Sequence, residues 1–312
     1  LDSSEIKSLS NASSGALLKA LSEDKSAVIV AVEARALIQE LGKRLGAFPP
    51  PLKHLGLGLL GASLVHALSD LQDNEKLELQ WRTAGNFGHL CADVLGSGRL
   101  RGTIGQPRAE VFNFDEGLGA GLLQVRRSRK KGVPTTGVVQ AKGSVVEDIV
   151  QYLQDSEQKP CALNLHVKIE WDEEAEKRGE ETPFRVVQAV GYLIHVLPQD
   201  TDATRDAYAD LWAQRMKVMG PLSEWAIPEN SKAALRFMVD LLTVGSKPSL
   251  SKVQPLNLYC TCNEDRAKRA LALLSPRERN SLLEEEATKE NIELKCEYCG
   301  ETYLIAVDEE AG

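Results

Sequence analysis

The sequence predicts an α+β fold: an N-terminal domain of helices packed on a largely antiparallel sheet, then a helical linker, then a small cysteine-bearing C-terminal domain. Three observations carry this. Apolar runs separated by Gly and Asn turn signals fill the first two-thirds of the chain, helical periodicity takes over after Gln199, and two close cysteine pairs occupy the end. A length of 312 residues suits about two packed domains and a connecting segment better than one core. The expected boundaries are 1–198, 199–254 and 255–312.

Within the first domain, Val28 to Val32 reads as a strand, and Ala34, Leu37, Leu41 and Leu45 form one stripe of a helix that Pro49 to Pro51 should stop. A second helix, rich in Gly and Leu, is expected from Leu52 to about Leu68, buried over much of its surface. Strands follow at Leu77 to Thr83, Leu90 to Leu95, Leu100 to Ile104, Leu122 to Arg126 and Thr136 to Ala141. The capping box Ser144-Val-Val-Glu147 opens a helix with Val145, Val146, Ile149, Val150 and Leu153 on its apolar face. Leu163 to Trp171 and Phe184 to Val196 complete the sheet, with Asp172 to Glu181 as a solvated hairpin loop.

From Gln199 the pattern is helical, with Tyr208, Leu211, Trp212 and Met219 on one stripe and Ala234, Leu235, Met238 and Leu242 on another. All three methionines (Met216, Met219, Met238) and two of the four tryptophans (Trp212, Trp225) fall in this linker. Such an apolar load needs a cover.

Charge and composition exclude several classes of function. The formal charge of -8 opposes nucleic-acid binding as the main role, because that binding rests on cations neutralising phosphates. No apolar run reaches the roughly 20 residues of a membrane span, so no membrane partner is expected. The chain starts at Leu1, which leaves its compartment weakly constrained. A cytoplasmic location is expected, or an organelle matrix or stroma for a processed form.

Other motifs are set aside on physical grounds. Gly56-Leu-Gly58-Leu-Leu-Gly61 matches a dinucleotide fingerprint but follows prolines and not a strand, so it reads as close helix packing. The run Arg126-Arg-Ser-Arg-Lys-Lys131 reads as a solvated hairpin tip. The five histidines have no metal-binding spacing and no nucleophile elbow is present, so no catalytic residue is assigned and no enzyme is expected. Cys91 and Cys161 read as buried small hydrophobes.

The remaining cysteines differ in kind. Cys260-Thr-Cys262 follows a strand-like run from Leu256 to Tyr259 and precedes a helix from Glu264 to Leu274, and Ser275-Pro276-Arg-Glu278 caps a second helix. Cys296-Glu-Tyr-Cys299-Gly300, flanked by Ile292, Leu294, Tyr303 and Ile305, reads as a hairpin with a metal knuckle at its tip. Two tight pairs aimed at one point suit one tetrahedral Zn²⁺ held by Cys260, Cys262, Cys296 and Cys299. A segment this small gains roughly 3 to 5 kcal/mol from its own core, against about 10 to 16 from structural zinc, so the metal should hold it folded. Zinc also keeps the sulfurs as oxidisable thiolates, so oxidation should expel it, melt the module and uncover the Met-rich linker.

These features resemble the redox-regulated holdase chaperones called heat shock protein 33. The resemblance is carried by the CxC and CxxC pairs, by Arg266-Ala-Lys-Arg-Ala-Leu271, and by Leu100-Arg-Gly-Thr-Ile-Gly105, and it covers nearly the whole chain. It implies a reduced, inactive form with one bound zinc. On oxidation it implies Cys260–Cys262 and Cys296–Cys299 disulfides, loss of zinc, unfolding of a metastable linker, dimerisation, and ATP-independent holding of unfolding proteins. Tyr208, Leu211, Trp212, Met216, Met219, Trp225, Leu235 and Met238 are the expected client-binding residues. The 33-residue gap between Cys262 and Cys296 and the basic hairpin run depart from the family's usual pattern.

Two other readings stand beside it. One is a structural zinc module serving as an adaptor for protein or nucleic-acid partners. Residues 256–312 carry 7 Lys or Arg against 13 Asp or Glu, a balance of 7 - 13 = -6 that disfavours a phosphate-binding ribbon. The other is a thiol oxidoreductase, which needs an exposed CxxC at a helix start near a βαβ unit; Cys296 to Cys299 lacks that context.

Overall fold

The apolar runs of the first domain do assemble into one large sheet, seen in a computed structural model that describes residues 7–9, 15–69, 71–73, 75–96, 98–111, 113, 117–275, 278 and 291–306. In chain order the elements are β1 (Lys7–Ser8), β2 (Gly15–Leu21), β3 (Ala27–Glu33), α1 (Arg35–Leu45), α2 (Pro49–Ala67), β4 (Lys76–Thr83), β5 (His89–Leu95) and β6 (Arg99–Ile104). Then come β7 (Gly121–Ser128), β8 (Thr135–Ala141), α3 (Val145–Asp155), β9 (Cys161–Trp171), α4 (Glu173–Lys177) and β10 (Phe184–Val196). The linker holds α5 (Asp202–Met219), a 3-10 turn at Leu222–Glu224 and α6 (Ser231–Leu242). The chain continues through β11 (Ser249–Leu250), β12 (Gln254–Cys260), α7 (Glu264–Ala272) and the hairpin β13 (Asn291–Lys295) and β14 (Thr302–Ala306).

The strand order is β8-β7-β4-β5-β6-β12-β2-β3-β10-β9, with β1 paired to β12 and β11 to β2. Only the β12–β6 pairing is parallel among the described strands. β12 therefore joins two leaves of the sheet, pairing Asn257–Leu258 with Arg99–Leu100 on one side and Gln254–Leu256 with Leu17–Gly15 on the other. Periodicity shows Leu256 to Tyr259 to be a strand but says nothing of its partners.

α2 lies across one sheet face and is buried nearly all round, as its continuous apolar run requires. A Cβ at Gly58 would lie 2.7 Å from Leu90 and one at Gly61 2.4 Å from Ile149, so these glycines serve close packing against β5 and α3. One boundary needs correction. Pro49 to Pro51 do not separate two helices; they form the first turn of α2, where a missing N–H costs nothing because no intrahelical acceptor exists there. α1 ends instead at Gly46, in the left-handed conformation with φ +61°. The Asp172 to Glu181 loop likewise contains α4, capped by the Asp172 carboxylate, which accepts from the Glu174 and Ala175 N–H groups.

α3 starts as its capping box requires, Ser144 accepting from the Glu147 N–H. The basic run lies at the end of β7 and in the turn to β8; Arg126, Arg129, Lys130 and Lys131 are exposed, while Arg127 turns back to Tyr152 and Glu157. Burial pushes the thiols of Cys91 and Cys161 up to about 12 and about 11, so neither is a ready nucleophile at neutral pH.

The linker packs on the face of the second leaf opposite α2. There Ile29, Ala31, Tyr192 and Ile194 of the sheet meet Trp212, Leu222, Trp225, Leu235, Met238, Val239 and Leu242. α6 buries Ala234, Leu235, Met238, Val239 and Leu242, whereas α5 buries Trp212 alone of its 18 residues.

Candidate metal centre

β12 delivers Cys260 at its buried end, and the next two residues carry Thr261 and Cys262 to the start of α7, whose N-cap Asn263 accepts from the Arg266 N–H. The other pair sits in the β13–β14 turn. The Cys296 N–H donates to the Glu301 carbonyl (2.8 Å) and the Gly300 N–H to the Cys296 carbonyl (2.8 Å), which folds Cys296 and Cys299 toward the same point. Gly300 adopts φ +72°, a conformation that costs other residues roughly 1 to 2 kcal/mol.

The four sulfurs converge. Cys260 and Cys296 Sγ lie 3.7 Å apart, Cys262 and Cys299 Sγ 3.4 Å apart, and all four fall within 4.8 Å of one another. A tetrahedral ion bonded at about 2.3 Å needs sulfurs about 3.8 Å apart. The residues thus fit one metal ion in both donor chemistry and spacing. Hydrogen bonding with Cys260 and with Cys299 lowers the Cys296 thiol, hydrogen bonding with Cys296 raises that of Cys260, and bonds to Cys260 and Cys296 raise that of Cys299. The Cys262 N–H donates to Cys260 Sγ (3.4 Å) and the Tyr303 hydroxyl to Cys262 Sγ (3.2 Å).

The centre is seated on the main core. Cys260 and Cys299 belong to it, and Cys262, Cys296 and Tyr298 pack against it. The module's own buried apolar set, among the described residues, is only Leu271, Ile292 and Ile305. The Ser275–Glu278 capping box closes, but the helix expected after it lies outside the described residues.

Several contacts tie the knuckle down. Glu301 pairs with Lys7 (3.1 Å), and a Cβ at Gly300 would lie 2.1 Å from the Arg44 carbonyl oxygen of α1. Gly300→Ala is therefore expected to cost roughly 2 to 5 kcal/mol of docking, from backbone strain and collision together. Gly132→Ala supplies the control, because Gly132 also has a positive φ but nothing lies within 4 Å of its Cβ. Denaturant midpoints of the two variants separate strain from collision; equal losses would count against this docking.

Sequence reasoning missed a second group of residues. On the sheet face beneath Tyr298, the fully buried Asp93 accepts from Arg101 Nε and Lys76 Nζ, both at 2.7 Å. The Arg101 guanidinium lies 4.3 Å from the Tyr298 ring centroid. Arg101 stands in a stretch quoted for the family resemblance, and a cation within an alternating strand was the available signal.

Of the expected client-binding residues, Trp212, Trp225, Leu235 and Met238 are buried against the sheet, Tyr208, Met216 and Met219 are partly buried there, and Leu211 is exposed. None touches the cysteines in the described contacts. The apolar sheet residues beneath them, Ile29, Tyr192 and Ile194 among others, were not singled out from sequence because strand-core and surface-platform residues have the same pattern.

Comparison with known proteins agrees with this architecture. The Hsp33 protein family profile matches residues 15–306. A 33 kDa chaperonin from Thermus thermophilus is 28% identical over 95% of this chain and 85% of its own length. One from Symbiobacterium thermophilum is 27% identical over 94% and 95%. The crystal structure of the 33 kDa chaperonin (heat shock protein 33 homolog) from Thermotoga maritima superposes with a TM-score of 0.76 at 20% identity, covering 94% of this chain and 95% of that one.

Proposed function

This chain belongs to the Hsp33 family, and from that premise we propose that it is a redox-regulated, ATP-independent chaperone that holds unfolding proteins once its clustered cysteines are oxidised. The carrying observation is four thiols within 4.8 Å at the end of β12, a strand that runs beside the part of the sheet the linker covers. The ion we assign is one Zn²⁺. Bound by Cys260, Cys262, Cys296 and Cys299, it would keep all four sulfurs anionic and cross-link a module with little core of its own.

Oxidation acts on the chain's own sulfurs. Two thiolates give two electrons to one peroxide molecule, which takes two protons from solvent, forming an S–S bond and two waters, so four thiolates would consume two peroxides and four protons and set the divalent ion free. The family resemblance implies that Cys260 pairs with Cys262 and Cys296 with Cys299, which would leave no thiolate donors at the centre. Without the cross-link, the knuckle loses its shape and β12 its end anchor. The linker then separates from Ile29, Tyr192 and Ile194, giving two apolar surfaces for clients: the sheet face, and the linker's Tyr208, Leu211, Trp212, Met216, Met219, Trp225, Leu235 and Met238. Methionine's adaptable side chain suits clients of varied shape.

Exposed apolar faces also support dimerisation of the oxidised form. No catalytic group enters this mechanism. No helix among the described residues is long and apolar enough to cross a membrane, and we assign a cytoplasmic location. The acidic C-terminal module argues against nucleic acid as partner.

The test is light scattering from a heat-unfolding client mixed with reduced or peroxide-treated protein. Suppression only after peroxide is expected; equal suppression in both states would leave a structural zinc adaptor as the better reading.

A further inference from the structure

We propose that Arg101 is the positioning residue that holds both cysteine turns closed on the sheet and thereby sets how readily the four sulfurs are oxidised; this rests on the redox reading above. One guanidinium reaches both turns. Its Nη1 donates to the Thr261 hydroxyl (3.3 Å), the middle residue of the first cysteine pair, and its carbon lies 4.3 Å from the centroid of Tyr298, inside the second pair. The Tyr259 ring, next to Cys260, lies 5.5 Å away.

Arg101 itself is held from below. Asp93 fixes Nε at 2.7 Å, and Lys76 bridges Asp93 and Glu78. The guanidinium is thus anchored by groups of the sheet as well as by the cysteine turns. Cation–π attraction strengthens with desolvation, and both Arg101 and Tyr298 are largely withdrawn from water. Arg266 approaches the same Thr261 hydroxyl from α7 at 2.6 Å, so two cations stand at a centre that would carry two net negative charges as four thiolates around a divalent ion.

Forming an S–S bond within either pair brings two sulfurs to about 2.05 Å and must reshape the turn between them. Thr261 lies inside the first of those turns, and Tyr298, with Glu297, inside the second. Each contact to Arg101 thus favours the geometry in which all four sulfurs converge. Removing the guanidinium should shorten the route to the oxidised state without altering any sulfur.

The experiment uses the full chain with Arg101→Gln, Arg101→Lys, Tyr298→Leu and the Gln/Leu double variant. It reads zinc release to a chromogenic chelator under fixed peroxide, and alkylation of each cysteine by mass spectrometry. Arg101→Gln and Tyr298→Leu are each expected to speed zinc release about tenfold and to lower the peroxide needed for half-maximal chaperone activity. Arg101→Lys, which keeps the charge but not the planar fork, should fall between. The double variant should be no faster than the faster single, because one contact is being removed twice.

Cys161 is the internal control: it lies on β9, away from the centre, so global loosening would raise its alkylation too, whereas a local effect raises only the four clustered cysteines. Parallel gains at Cys161 would overturn the proposal. So would wild-type zinc release in both single variants while the wild type still switches. Tyr298→Leu leaves the Asp93 pair intact and carries the test if Arg101→Gln does not fold. A wild type that binds no zinc, or works equally well reduced, overturns the redox reading and this one with it.

Discussion

Replacing Cys260 with Ser is expected to lower zinc affinity by a factor on the order of 10² to 10³. Structural zinc contributes about 10 to 16 kcal/mol through four thiolates, so one ligand carries roughly 2.5 to 4 kcal/mol, and a serine hydroxyl stays protonated at neutral pH. The site cannot recruit a substitute, since no other His, Cys, Asp or Glu joins the cluster among the described residues. Cys260 also terminates β12, so the loss should reach the sheet as well as the knuckle. Competition with a chromogenic chelator measures the affinity, with Cys161→Ser as control. The variant should hold clients with less dependence on oxidant. Unchanged zinc stoichiometry under competition would remove Cys260 from the ligand set.

Trp212→Ala is expected to detach α5 and leave the metal centre intact. Truncating a buried Trp costs roughly 3 to 5 kcal/mol, and α5 has no other fully buried side chain to absorb that loss. The Trp212 indole N–H is buried, with no hydrogen-bond partner among the described residues. An 18-residue helix without tertiary support is marginal in water. Amide exchange should lose protection over residues 202–219 while zinc content stays at the wild-type level, and the reduced protein should gain part of the oxidised form's client binding. An unchanged exchange pattern would show that α5 is held by something other than this side chain.

What could be read from the sequence was what is local. Cys260, Cys262, Cys296 and Cys299 declare themselves because metal ligation demands particular atoms at close spacing, and the Ser144 cap and the α6 stripe obey equally short-range rules. Errors arose where one signal serves two structures. Pro49 to Pro51 end helices or begin them, and here they begin one. Asp172 opens a turn or caps a helix, and here it caps one. β2, Gly15–Leu21, was not anticipated, because its short run of Leu and Ala has no strong strand preference and is stabilised by β3 and β12. The Asp93–Arg101–Tyr298 group was invisible for a plainer reason: its members come from β5, β6 and a turn near residue 298, and only the folded sheet brings them together.

The place of β12 between β6 and β2 has a consequence for biosynthesis. All strands of both leaves through β10 have been made by Val196, yet the seam between them stays open until Cys260 has been added. At about 5 to 20 residues per second, that interval is on the order of 3 to 13 s on the ribosome. Throughout it, β6 and β2 present unpaired backbone edges, the kind of surface on which chains aggregate. The newborn protein is, for those seconds, in the condition of its own clients.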